Sequence, residues 1–423
     1  MTLSLAQVRS PLQGSVSLPG DKSLAHRAAL FAALAEGESE VGNYPDSGVT
    51  RAMRGALESL GVPSTIDGGV LRVKGNGMHP FPNSGATAYC GNSATTIRLL
   101  AGAVAATHSA AVLDGSEGLR KRPMNRIVEP LRQMGADVSS TDGCAPLRIS
   151  PAPLECIGYE LPVASAQVLS CLQIAALGAE GESRFTVDAP VRDHTSRMLR
   201  AMGAEVVDSW PDVFVESLKK PLSPLHGTLP GDISSAAFLF AAAAIVPGSR
   251  VTVTGVGVNP TRTGILDVLS KMGAKVSLAN EREEMGEPVA DVTLAAEPLH
   301  CVEIAGDLVV RSIDEFPAIA AVAAFAEGRT VVREAEELRY KETDRIAAIV
   351  TQLRALGAEV EELEDGFAVC GGTLKGGTAC ANGDHRLAMS MAVCGLCAPV
   401  SVEGAEILNE SFPDFERVIT SLM

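Results

Sequence analysis

A lysine, a hydroxyl and a guanidinium stand at the head of one alanine-rich segment. They are Lys22, Ser23 and Arg27 in LPGDKSLAHRAALFAALAEG, residues 18–37. Ser23 and Arg27 are four apart, so a helix places them on one face. Helix N-termini carry free N–H groups and partial positive charge, which favours anions. The order of residues approaches a nucleotide phosphate loop, which requires G-x-x-x-x-G-K-[ST]. Here Asp21 separates Gly20 from Lys22, and no second glycine is in place. The stretch therefore reads either as an anion site of another geometry or as a capped helix with an exposed arginine.

Similar polar starts recur along the chain. Alanine-rich runs begin at Lys22, Asn92, Ser165, Ile233, Asp314 and Asp384, and most end at glycine. They are apolar all round, which predicts buried helices. A second phrase alternates with them: LGVPS at 60, MGADV at 134, MGAEV at 202, MGAKV at 272 and LGAEV at 356. Each follows an amphipathic pattern and precedes a β-like run, so its glycine reads as a helix stop. The spacing predicts six supersecondary units, the last closing with FPDFERVITSLM in place of the second helix and its glycine. If the units are arranged as three plus three, six polar helix starts converge on one cleft.

Composition narrows the ligand class. The 423 residues suit two domains, and 46% apolar with 20% charged residues fits a soluble globular chain. A net charge of −16 argues against nucleic acid or an anionic membrane, yet allows a small anion in a local basic cleft. No run approaches the ~20 apolar residues of a membrane span, and the start MTLSLAQVRSPLQG lacks the pattern of a signal peptide. Nine scattered cysteines read as reduced thiols of a cytoplasmic chain. Cys394-x-x-Cys397 has no second ligand pair and reads as two buried helix cysteines rather than a metal site.

The ordered series PGDKSLAHR, GNSATTIR (91–98), LRKRPMNR (119–126), SAQV (165–168), RDHT (192–195), LPGDISSAAF (229–238), NPTRTG (259–264), SIDEFP (312–317), ELRYKETDR (337–345), DHRLAM (384–389) and SFPDF (411–415) resembles the enolpyruvyl transferases, in particular the branch acting on shikimate 3-phosphate. The resemblance runs from about residue 10 to the C-terminus. It implies an α/β fold of two inside-out barrel domains, each of three βαβαββ units. The implied domains are 20–228, and 1–19 with 229–423, with hinges near 19–20 and 229–231. The implied reaction joins shikimate 3-phosphate to phosphoenolpyruvate and releases phosphate.

Carried over by position, the shikimate 3-phosphate side comprises Lys22, Ser23, Arg27, Ser165, Gln167, Arg192, Asp314 and Lys341. The phosphoenolpyruvate side comprises Lys22, Ala94, Arg122, Gln167, Arg345 and Arg386, with Arg98 and His385 as neighbours. Both substrates are anionic, and the arginine fork matches carboxylate and phosphate oxygens. Asp314 and Glu342 are the acid–base pair, with Lys22 beside them. Asp314 is expected to accept the hydroxyl proton; protonation of carbon and of the leaving phosphate stays undivided between Glu342 and Lys22. On sequence alone, Arg122 and Arg386 suit surface ion pairs equally well, and Glu342 suits a charged helix face. The resemblance implies no metal, no nucleotide and no other cofactor, and a monomer.

Three positions depart from the common pattern. Ala94 stands where many relatives have glycine, which narrows the phosphoenolpyruvate pocket and predicts reduced sensitivity to the longer inhibitor glyphosate. Glu410 replaces a lysine before SFP, and Val191 replaces a small hydroxyl residue. The first two resemble the glyphosate-tolerant class. The sister enzymes that use UDP-N-acetylglucosamine carry a cysteine or aspartate five residues before the mobile-loop arginine; Glu117 stands there, five before Arg122. A non-catalytic anion-binding relative would lack the acid–base pair, which is present.

Overall fold

The computed structural model describes residues 1–82 and 85–423. Six helices carry most of the interior: α1 (Lys22–Leu34), α2 (Ala94–Ala106), α3 (Ala166–Ala176), α4 (Ile233–Ile245), α5 (Phe316–Ala323) and α6 (His385–Cys394). Nearly every residue in them is buried, as runs apolar all round require. Their starts coincide with the six polar heads in the sequence. Four have acidic or hydroxyl N-caps that accept a backbone N–H: Asp21, Ser93, Asp232 and Asp384.

The strands repeat one pattern. Five four-stranded sheets each hold one parallel pair followed by antiparallel pairs. One such sheet runs 87–89, 111–114, 144–150 and 137–141 in spatial order. The sixth has three strands, closed by the chain's first residues, with Thr2 opposite Glu403. The connecting helix of that last unit shrinks to Phe415–Thr420. All five glycines of the recurring phrase, Gly61, Gly135, Gly203, Gly273 and Gly357, have φ near +90° to +111°. Only a residue without Cβ adopts this readily, so each ends its helix and turns the chain into a strand.

The chain divides into two compact units, residues 1–18, 231–282 and 288–423 forming one, and 19–230 with 283–287 the other. The strand Gln13–Ser17 pairs in parallel with Arg250–Gly257, which ties the N-terminal segment to the first unit. The strand His226–Thr228 pairs in parallel with Glu36–Gly42 and completes the first sheet of the second unit from its far end. The turn 283–287 groups with residues 19–230, although the strands on either side belong to a sheet of the other unit. Inside the second unit, α2 and α3 approach so closely that a Cβ on Gly102 would overlap the carbonyl oxygen of Cys171. Inside the first, edge-to-face pairs Phe238–Phe415, Phe412–Phe415 and Phe316–Phe367, 5.9–6.4 Å apart, fill the core between helices and sheets.

Candidate active site

The sequence-derived site residues fall in both units. In the unit built on residues 19–230, α1 opens with Lys22 and Ser23, both half-buried, beneath the Asp21 cap on the Leu24 N–H (2.9 Å). Arg27 is buried rather than exposed. Its Nε donates to Thr195 Oγ1 at 2.7 Å, one terminal nitrogen to Ser170 Oγ at 2.8 Å and the other to the Ser23 carbonyl at 3.0 Å. A buried guanidinium needs hydrogen-bond acceptors for its N–H groups. Here they come from α3 and from the helix His194–Ala201, so Arg27 is fixed by three elements.

The next two helices are linked in the same manner. Arg98 of α2 donates to Gln167 Oε1 at the start of α3 and to the Pro123 carbonyl (3.1 Å). Gln167 Nε2 in turn donates to Thr95 Oγ1 at 3.0 Å. Arg98 thus brings together Gln167 and the segment that carries Arg122. Arg122 caps a single turn, Leu119–Lys121, and among the described residues its half-buried side chain takes no ion pair. The surface-ion-pair alternative therefore fails for Arg122. Ala94 is the first residue of α2 and is almost fully enclosed. Ser165 is the residue before α3, and Arg192 lies two residues before the helix at 194.

In the other unit a single buried arginine organises the site. Arg345, 1% exposed, donates Nε to Asp384 Oδ2 (2.7 Å) and a terminal nitrogen to Glu342 Oε2 (2.7 Å), and lies 3.4 Å from Asp314 Oδ1. Burial works against its charge, but Asp384, Glu342 and Asp314 together raise its pKa above the ordinary arginine value. Arg386 of α6 donates to the Asp314 carbonyl at 3.1 Å and approaches the Asp314 and Glu315 carboxylates at 3.8 and 3.6 Å. It is buried, so the surface alternative fails here too. Burial lowers the Lys341 ammonium from its usual value, against the upward pull of Asp314, Glu337 and Glu342. Glu342 is an ion-pair partner, as a charged-helix reading expects, and the partner is the buried hub Arg345. His385 begins α6 and is buried.

Two carboxylates missing from the sequence-derived set are integral to this cluster. Asp384 is fully buried, pairs with Arg345 and caps α6 through the Arg386 N–H at 2.8 Å. Glu315, also fully buried, accepts from Ser234 and neighbours Arg386. The signal for Asp384 was present in DHR, where an aspartate heads a helix, but a cap explains it completely without an ion pair.

One unit presents a lysine, hydroxyls and four arginines, Arg27, Arg98, Arg122 and Arg192, in or beside the first turns of its helices or at the end of a single turn. The other presents two arginines and a lysine interleaved with two partly accessible carboxylates. Each set, by itself, has the charges to bind a multiply charged anion, and the second also has carboxylates able to exchange protons. The model for the EPSP synthase family (3-phosphoshikimate 1-carboxyvinyltransferase) matches residues 6–419. The 3-phosphoshikimate 1-carboxyvinyltransferase of Geobacter sulfurreducens is 46% identical over 413 residues, covering 96% of each chain. That of Syntrophomonas wolfei is 43% identical over 418 residues, covering 97% of each. The solved structure of EPSP synthase from Acinetobacter baumannii superimposes with a TM-score of 0.89 at 38% identity, covering 100% of this chain and 98% of that one. The enolpyruvyl transferase NikO from Streptomyces tendae shares the fold, with a TM-score of 0.76 at 19% identity over 99% of this chain and 96% of that one. The chain belongs to the EPSP synthase family.

Proposed function

We infer that this chain transfers the enolpyruvyl group of phosphoenolpyruvate to the 5-hydroxyl of shikimate 3-phosphate and releases phosphate, a step of aromatic amino acid biosynthesis. The observation that carries the reading is the family match over residues 6–419, supported by the buried cluster in which Arg345 meets Asp384, Glu342 and Asp314. In the first step the 5-hydroxyl oxygen adds to C2 while C3 gains a proton, giving a tetrahedral intermediate. In the second, C3 loses a proton and the C2–O bond to phosphate breaks.

Asp314 is assigned the hydroxyl proton. It lies beside Arg345 and Arg386, so its carboxylate is oriented from two sides. Glu342 and Lys22 serve protonation of C3 and of the departing phosphate. Lys22, Ser23, Arg27, Ser165, Gln167, Arg192 and Lys341 hold shikimate 3-phosphate, joined by Asp314. Arg122, Arg345 and Arg386 hold phosphoenolpyruvate, with Lys22, Gln167 and Ala94 lining its place. No step calls on a cofactor, because phosphoenolpyruvate supplies its own leaving group and the arginines supply the charge stabilisation.

The enclosed methyl of Ala94 supports reduced glyphosate sensitivity, since the inhibitor is longer than phosphoenolpyruvate. Nine unpaired cysteines support a reducing, cytoplasmic setting, and no helix is long and apolar enough to cross a membrane. We read the working form as a monomer. Mass spectrometry of the product tests the reaction. A species heavier than shikimate 3-phosphate by one enolpyruvyl group supports it, and unchanged shikimate 3-phosphate overturns it.

A further inference from the structure

His26, in the first turns of α1, is an ionisable side chain that the mechanism leaves without a role. It is 1% exposed. Its Nδ1 lies 2.6 Å from the Lys22 carbonyl oxygen and its Nε2 3.2 Å from Ser93 Oγ. A carbonyl only accepts, so Nδ1 carries the proton and Nε2 of the neutral ring accepts from the serine hydroxyl. Burial, with Lys22 and Arg27 close by, pulls the imidazole down to about 4, which keeps it neutral near pH 7.

Ser93 completes the chain of bonds. It is the N-cap of α2, and its Oγ accepts from the Thr96 N–H (3.1 Å) and from the Thr96 hydroxyl (2.9 Å). With its own hydrogen on His26, every polar site of Ser93 Oγ is used. The residue after Ser93 is Ala94. One imidazole therefore joins the Lys22 end of α1 to the turn that sets Ala94.

We propose that His26 is a positioning residue for the phosphoenolpyruvate side of the site, holding the start of α2 at a fixed distance from the start of α1 through Ser93. This rests on the reading that Lys22 and Ala94 flank phosphoenolpyruvate. His26 itself touches no substrate in this account. The cross-helix bond is the working part. Glutamine retains an acceptor near the Nε2 position, whereas asparagine reaches only the Nδ1 position, back toward Lys22.

The test is steady-state kinetics of wild type, H26Q, H26N, S93A and H26N/S93A, with KM for each substrate, kcat and thermal melting. Loss of one buried hydrogen bond predicts a KM for phosphoenolpyruvate about 2- to 10-fold higher in H26N, and at least as high in S93A, which loses the Thr96 bonds too. KM for shikimate 3-phosphate stays within about twofold, since Arg27 and its hydroxyl partners are untouched. H26Q lies nearer wild type than H26N, and the double variant is no worse than S93A, because H26N and S93A both remove the His26–Ser93 bond and S93A removes the Thr96 bonds besides. Unchanged KM for phosphoenolpyruvate in H26N overturns the proposal. So does an equal rise in both KM values with a lowered melting point, which marks a merely structural role. A wild-type chain without transfer activity overturns the functional reading, and this proposal with it.

Discussion

Replacing Asp384 by asparagine isolates the charge at the centre of the carboxylate–arginine cluster. Asparagine has nearly the same shape and still caps α6, so the Arg386 N–H keeps its acceptor. What is lost is the anion 2.7 Å from Arg345 Nε, in a pair that is 0% and 1% exposed. Two unit charges about 4 Å apart at an effective dielectric of about 20 interact by roughly 4 kcal/mol. Removing one partner of a buried pair typically costs about 3–5 kcal/mol. Glu342 and Asp314 remain beside Arg345 and offset part of this, so D384N is expected to lose about 3 kcal/mol of stability. For domains of this size that is a fall of about 6–12 °C in melting temperature. D384A loses about 1 kcal/mol more, because the cap goes as well. On the reading that Arg345 holds phosphoenolpyruvate, a guanidinium released by Asp384 shifts toward its remaining partner Glu342, and a misplacement near 1 Å costs about 100-fold in rate. Thermal melting with kcat/KM for phosphoenolpyruvate checks both parts. A D384N variant melting within about 2 °C of wild type, with kcat/KM within threefold, would refute the reasoning.

The Ala94 methyl is expected to carry the inhibitor response. A94G should lower the glyphosate concentration for half-inhibition at least about tenfold while changing KM for phosphoenolpyruvate less, on the scale of one methylene-sized contact; equal half-inhibition in both forms would separate Ala94 from the effect. Acid stability should carry a signature of His26. Its imidazole titrates near 6.5 when unfolded and near 4 when folded, so the unfolded chain binds the proton first. The contribution is fully present above pH 6.5 and is lost as pH falls toward 4. By pH 5 the loss amounts to about 2 kcal/mol. Urea unfolding of wild type and H26Q at pH 7.5 and 5 checks this, with wild type expected to lose about 2 kcal/mol more between the two. Parallel losses would contradict a neutral, buried His26.

Much of the architecture was legible because two local signals are physically strong. A helix apolar on all sides has nowhere to go but the interior, and the six such runs became α1 to α6. A glycine after an amphipathic run can take a positive φ at little cost, and all five did. The site was legible where its residues sit in compact phrases such as KSLAHR and YKETDR. It was not legible where a role depends on distant partners. Ser170 and Thr195 look like ordinary helix polar residues until Arg27, 143 and 168 positions away, is seen between them. Asp384 looks like a cap and is one, yet it also neutralises Arg345 from 39 residues away. Local chemistry shows only the first of those two roles. The turn 283–287 illustrates the same limit: its sequence is a plain hairpin connection, and nothing local marks Glu287 as the partner of the buried His194, at 2.8 Å.

Enolpyruvyl transfer with the stated acceptor is the central claim, and phosphate release tests it most directly. Purified chain is mixed with phosphoenolpyruvate and either shikimate 3-phosphate or UDP-N-acetylglucosamine, without added metal, and inorganic phosphate is followed over time. The account predicts release only with shikimate 3-phosphate, abolished or reduced by orders of magnitude in D314N. Release with the nucleotide sugar instead, or with neither acceptor, would contradict it.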